Sequence, residues 1–288
     1  MKKYFSLMLL LATICFALPS CSDDEDEPKP TPALAQTNYS LYAGQSTPLK
    51  GTSLDGLIWV GNRYVADIDN EGVLHANKVG YTRMYSDDII IDGHFGLIYV
   101  EVAPKVTKYS EPLLYRQYVG ENIEYSNGYI KNMATGVKAD MWGVMQGFIS
   151  YYVEKCGLPW TTYKIDKNTL IFKTDKEASP YVGYVFNDNA ELIGVGTYIN
   201  PLKAESLPEF LDERYLIYDV DMNNYTADFA HAVGDENDPE VDYVGRMQYS
   251  SSIGLIIIAY MPIDSGSKSK SHSTVEFNET FVALEKVL

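Results

Sequence analysis

Residues 57–80 read Leu57-Ile58-Trp59-Val60-Gly61-Asn62-Arg63-Tyr64-Val65-Ala66-Asp67-Ile68-Asp69-Asn70-Glu71-Gly72-Val73-Leu74-His75-Ala76-Asn77-Lys78-Val79-Gly80. Leu57–Val60 is a continuous apolar run, as in a strand covered on both faces. Val65-Ala66-Asp67-Ile68-Asp69 alternates, which turns one side of a strand inward and the other to water. Asn70-Glu71-Gly72 turns the chain, with Gly72 suited to the positive φ of a tight hairpin, and Val73-Leu74-His75-Ala76 returns it. Short period-2 runs with turn residues every 8–12 positions describe a small β-sandwich.

The pattern extends both ways. Tyr39, Leu41 and Gly44 lead into Leu49, and Leu97 to Val102 forms a closing strand ended by Pro104. Together, Gly44, Trp59, Val65-Ala66, Ile68-Asp69, Gly72, Leu74, Ala76 and Gly80 resemble the bacterial immunoglobulin-like domain, group 2 (Big2). The resemblance covers residues 34–104. It implies an Ig-like sandwich in which Trp59 fills the space between the sheets and Gly80 precedes the next strand. The chain departs from the family in a short turn after Trp59 and in an insertion from Ser86 to Phe95.

Lys2 and Lys3 precede an uncharged apolar stretch from Phe5 to Leu18. It is shorter than the roughly 20 apolar residues that span a bilayer, so residues 1–20 read as a signal peptide. Leu18-Pro19-Ser20-Cys21 resembles a lipobox, which implies acylation of the Cys21 sulfur and cleavage before it. The plainer alternative is a secretory cleavage site beside a chance cysteine. Ser22 to Pro32 clusters acids and prolines that cannot bury surface, so residues 21–33 read as a lipidated cysteine and an extended tether. This acidic run resembles the one by which Bacteroidetes send lipoproteins to the outer face of the outer membrane. The likeness implies an outer-membrane protein, lipid-anchored through Cys21 and facing the cell exterior. A solvated spacer on a periplasm-facing lipoprotein is the competing reading.

The formal charge is −16, and loss of Lys2 and Lys3 makes it more negative. Such a chain repels nucleic-acid phosphates and the surface of an anionic bilayer, so no nucleic-acid partner is expected. Of three cysteines, Cys15 leaves with the signal and Cys21 is lipidated. Cys156 alone remains, which excludes a disulfide framework and a cysteine metal site. It is expected to be a buried, inert thiol. The 24 tyrosines suit antiparallel sheets, where the ring packs and the hydroxyl stays wet.

Residues 106–288 read as a second, α+β domain. Asp140 is expected to cap a helix carrying Trp142, Met145, Ile149, Tyr152 or Val153, and Cys156 at helical spacing, ended by Gly157. Strands are expected at Thr169–Lys173, Tyr181–Phe186 and Glu191–Ile199, with Asn187-Asp188-Asn189 as a hairpin turn. A second helix starts at a Ser206/Glu209 capping box and runs to about Tyr215. Strands follow at Leu216–Val220, Tyr225–Ala230, Val241–Tyr249 and Ile253–Pro262. Helix then meander thus occurs twice. At an offset of 62 residues Phe148 aligns with Phe210, Tyr181-Val182-Gly183 with Tyr243-Val244-Gly245, and Tyr198 with Tyr260. A duplicated α-βββ unit and coincidence in a tyrosine-rich chain both remain open. Ser265–Ser273 is a Gly/Ser/Lys loop, and Thr274–Leu288 closes the chain as a strand or a short helix. The fold class expected is an all-β Ig-like sandwich followed by an α+β domain with helices packed on antiparallel meanders.

Motifs for chemistry are sparse. Among His75, His94, His231 and His272 no pair has the i, i+4 spacing of a helical zinc site. No Gly-x-Ser-x-Gly elbow occurs, and Gly194 and Gly196 lie in a strand pattern without the helix of a phosphate loop. No catalytic residue is singled out and no cofactor is expected. Asp235, Asn237, Asp238 and Asp242 offer hard oxygen donors that would suit calcium, although the Gly and terminal Glu of an EF-hand are missing and a solvated hairpin loop explains them as well. Trp160 and Tyr163, beyond the helix end, are candidates for stacking on the C–H faces of a sugar. The competing role for Trp160 is to cover the helix end against the sheet. The function expected is non-enzymatic binding or adhesion at the cell surface, toward a glycan or protein ligand, presented on the Ig-like domain as a spacer. Two rivals are a carboxylate-based hydrolase in the second domain and an inhibitor or assembly protein acting through its sheet face.

Overall fold

A computed structural model describes residues 38–49, 57–59, 62–91, 94–118, 125–126, 129–130, 137–140, 142–221, 223–234, 239–263, 274–286 and 288. Cys21 and the tether lie outside them. The protein is built mostly of β-sheet, with three α-helices among the described residues.

The first strands are β1 (Asn38–Tyr42), β2 (Ser46–Pro48), β3 (Leu57–Trp59), β4 (Ala66–Ile68), β5 (Val73–Ala76), β6 (Gly80–Ile91) and β7 (His94–Ala103). They form a sheet ordered β1-β7-β6-β3 and a second ordered β2-β5-β4, with β1 parallel to β7. Tyr39, Ala66, Leu74, Met84, Ile98 and Val100 meet in one apolar cluster, so both sheets feed a shared core. The β4–β5 turn follows the sequence closely. Gly72 takes φ +80°, and the Asp69 carboxylate accepts from the amides of Glu71 and Val73 at 2.9 Å. The Ser86–Phe95 stretch lengthens the β6–β7 hairpin, whose register breaks between Ser86 and Ile90. Trp59 stands opposite Met84 in the ladder, its side chain lying outside the described part of the chain.

Short strands β8 (Tyr115–Tyr118), β9 (Tyr125–Ser126), β10 (Tyr129–Ile130) and β11 (Val137–Asp140) pair as β8 with β11 and β9 with β10. Asp140 therefore ends a strand rather than capping a helix. Gly143, at φ +73°, breaks any helix begun there, and α1 runs only from Gln146 to Lys155. Trp142 sits in the intervening turn, partly buried against the core. Gly157 does end the helix region, at φ +63°.

The largest element is an eight-stranded antiparallel sheet ordered β12-β13-β14-β15-β19-β18-β17-β16. Its members are β12 (Thr161–Ile165), β13 (Thr169–Lys173), β14 (Tyr181–Phe186), β15 (Leu192–Ile199), β16 (Leu216–Asp221), β17 (Thr226–Gly234), β18 (Pro239–Ser250) and β19 (Leu255–Pro262). Two meanders, β12–β15 and β16–β19, join where β15 pairs with β19. A helix precedes each, α1 before the first and α2 (Leu207–Asp212) before the second. Ser206 makes no side-chain cap bond to α2. Ile149, Tyr152 and Val153 of α1 and Leu207, Phe210 and Leu211 of α2 are buried at the same i, i+3, i+4 spacing in one core. The first unit has four strands rather than the three expected, because Thr161–Ile165 pairs with β13, while the second has the four read from its sequence.

The 62-residue alignment does not describe this repeat. A two-fold axis normal to a sheet must carry each residue to one on the same face. Yet a Cβ on Gly183 would meet Tyr198 and Leu284, whereas one on Gly245 would meet Phe229, in the core on the other face. An axis through the Thr197–Ile258 pair, the centre of the β15–β19 ladder, keeps both face and register: it carries Val182 to Met247, on the α1/α2 side, and Tyr181 to Arg246, on the other.

The chain end forms a helix, α3 (Thr274–Glu285), on the opposite face. Phe277, Phe281 and Leu284 pack there with Tyr198, Ile257 and Ala259, and the Tyr198 hydroxyl donates to the Leu284 carbonyl at 2.8 Å.

The first sheets are tied to the large one by polar contacts. Asn62 Nδ2 donates to the Ala232 carbonyl at 2.9 Å, and the Val79 amide to the Glu213 carbonyl at 2.7 Å. Arg214, buried behind α2, donates through Nη2 to Val106 O at 3.1 Å and Glu111 Oε1 at 2.6 Å, and through Nη1 to Glu213.

Candidate functional site

The two outer strands of the eight-stranded sheet share an irregularity. In β12, Thr162 faces Phe172 and Lys164 faces Ile171, which leaves Tyr163 as an extra residue. In β16, Ile217 faces Phe229 and Asp219 faces Asp228, which leaves Tyr218 as the extra one. Such bulges blunt an edge against unwanted pairing and re-aim the bulged side chain. Both tyrosines are exposed, at 54% and 55%. The two strand sequences, Thr161-Thr162-Tyr163-Lys164-Ile165 and Leu216-Ile217-Tyr218-Asp219-Val220, align without a gap.

Behind each tyrosine lies a row of three residues directly opposed across the ladders, and such residues share a face. In the first unit the row is Thr161, Lys173, Tyr181. In the second it is Asp219, Asp228, Arg246. The Tyr163 ring lies against Tyr181, centroids 4.9 Å apart and planes at 49°. Lys173 is exposed and forms no ion pair among the described residues. At the other edge Arg246 grips Asp228 in a fork, with Nε–Oδ1 at 2.6 Å and Nη2–Oδ2 at 2.7 Å, and its guanidinium covers the Phe277 ring at 4.9 Å. Burial, with the Asp228 charge adding to it, pushes the Tyr218 phenol up from its ordinary value.

Trp160 and Tyr163 are not brought together. Trp160 is half-buried, its ring 5.9 Å from Phe172 in the core under α1. Tyr163 rests on Tyr181, which belongs to the α3 face. Asp235, Asn237 and Asp238 lie outside the described residues. Asp242 is half-buried with Oδ2 3.3 Å from His231 Nδ1, and the His231 ring lies flat on Tyr243 at 4.8 Å. Among the described residues no group of three or more His, Cys, Asp or Glu is arranged to hold a metal ion.

Tyr181, Lys173 and Tyr218 were not reached from sequence. Their grouping depends on strand register, although the shared tyrosine of the two edge pentapeptides is a visible signal. No protein-family model matches the chain, and no curated protein matches it. Chemically, the first edge offers an exposed aromatic face, a second ring supporting it and an unpaired ammonium. These are the components of a shallow recognition surface.

Proposed function

We propose that this chain is a lipoprotein of the outer membrane, anchored through Cys21 and displayed on the cell exterior. Residues 34–104 form an immunoglobulin-like unit, and residues 106–288 form an α+β domain that binds a glycan without transforming it. The observation that carries this reading is the Tyr163–Tyr181 pair. An exposed ring held on a bulged strand, and supported by another ring, is pre-organised to meet a flat ligand face at little entropic cost. A protein ligand recognised through the sheet faces is less favoured, since α1 and α2 cover one face and α3 the other.

The test is a glycan array probed with the full-length chain and with Tyr163→Ala. The expected result is binding by the parent that Tyr163→Ala loses without a change in melting temperature. Binding unaffected by Tyr163→Ala but abolished by Trp160→Ala would move the site to the other face.

A further inference from the structure

The two edges of the large sheet place different chemistry beside a bulged tyrosine, and the difference points to a ligand class. Both edges present an exposed bulged tyrosine. Behind Tyr218, the one cation of the row is neutralised, because Arg246 holds both oxygens of Asp228 and lies over Phe277. Behind Tyr163 the row contains no acid, and Lys173 keeps its charge facing solvent. Lys173 directly opposes Tyr181, so their Cβ atoms lie about 5 Å apart on one face. The four-carbon stem of a lysine is long enough for its ammonium to reach a ligand seated on the ring pair. The nearest acid along the chain, Asp175, makes no pair with it among the described residues.

We infer that Tyr163, Tyr181 and Lys173 form a subsite for an acidic sugar, either carboxylated or sulfated. Its ring lies on Tyr163 and its anionic group meets the Lys173 ammonium. The inference rests on the glycan-binding reading above and adds to it the sign of the ligand's charge. The second edge carries the same aromatic feature beside Asp219 and the neutralised Arg246, so it repels the same ligand.

Calorimetric titration of the full-length chain tests this, with a galacturonic acid tetramer and a heparin-derived tetrasaccharide as acidic probes and cellotetraose as the uncharged one. At low salt at least one acidic probe is expected to bind more tightly than cellotetraose by roughly fivefold, the scale of one solvent-exposed ion pair. Raising the salt shrinks that preference. Lys173→Gln should abolish the preference by weakening the acidic probe more than cellotetraose, with the melting temperature unchanged, and Tyr163→Ala should weaken every probe that binds. Equal affinity for acidic and uncharged probes would overturn the acidic-sugar inference and leave the glycan-binding reading standing. A preference that survives Lys173→Gln would overturn the assignment to this subsite. Failure of all three probes to bind would overturn both.

Discussion

The carboxylate of Glu213 accepts hydrogen bonds from the backbone amides of Lys105 and Val106, at 3.0 Å each. Glu213 lies just after α2, and the two amides lie just after β7. One buried side chain therefore satisfies the amides where the chain leaves the first pair of sheets. Arg214 neutralises that carboxylate and extends the network to Val106 O and Glu111. The chain just after β7 is thereby tied to the end of α2 rather than hung from it as a loose spacer.

Glu213→Ala should be costly on that account. It strands two amides and leaves the buried Arg214 with a single carboxylate partner, a change expected to lose about 3–5 kcal/mol. Urea denaturation of the parent and the variant measures it. A loss below about 1 kcal/mol, the size of an exposed ion pair, would mean the junction is solvated.

Gly245→Ala probes the packing within the second unit. A Cβ there would lie 2.1 Å from Phe229 Cζ and 3.0 Å from the Ala259 carbonyl oxygen. Phe229 is fully buried and stacks on Tyr215 at 4.5 Å, so it has little room to retreat. Overpacking of this kind costs about 1–3 kcal/mol, which a lowered melting temperature should report.

Cys156 supplies a pH-dependent test. Burial pushes its thiol up to about 11. An unfolded thiol titrates near about 8.5, so this group's contribution to stability is complete below that pH and is lost as pH rises through about 11. At pH 8 iodoacetamide should alkylate the native protein slowly and the urea-unfolded protein quickly. Equal rates would show the thiol to be open to solvent.

On the proposed lipid anchor, Cys21→Ala removes the acylated sulfur, so a labelled fatty acid supplied to cells should enter the parent chain and not the variant. Equal labelling of the two would contradict the anchor.

Much of the fold was legible because its signals are local. Leu74 and Ala76 are buried as the alternation of Val73–Ala76 predicts, Gly72 takes the predicted positive φ, and the bounds of β13 and β14 match the reading of their sequences. What failed depended on non-local register. Thr161–Ile165 is exposed along its whole length and has no alternation to mark it as a strand, because only one neighbour pairs with it. The 62-residue alignment matched residue types but ignored the face each occupies. The candidate site was half legible. Tyr163 stands out as an exposed aromatic, but its support from Tyr181 and the placement of Lys173 follow from how three strands pair.

The central claim is that ligand binds at the first edge of the large sheet. Hydrogen–deuterium exchange of the full-length chain, with and without the tightest-binding glycan, tests it most directly. The account predicts slowed exchange at the amides of Thr161–Ile165 and their neighbours around Tyr181, with Leu216–Asp221 unchanged. Protection confined to α1, where Met145, Phe148 and Tyr151 present another exposed apolar stripe, would contradict it.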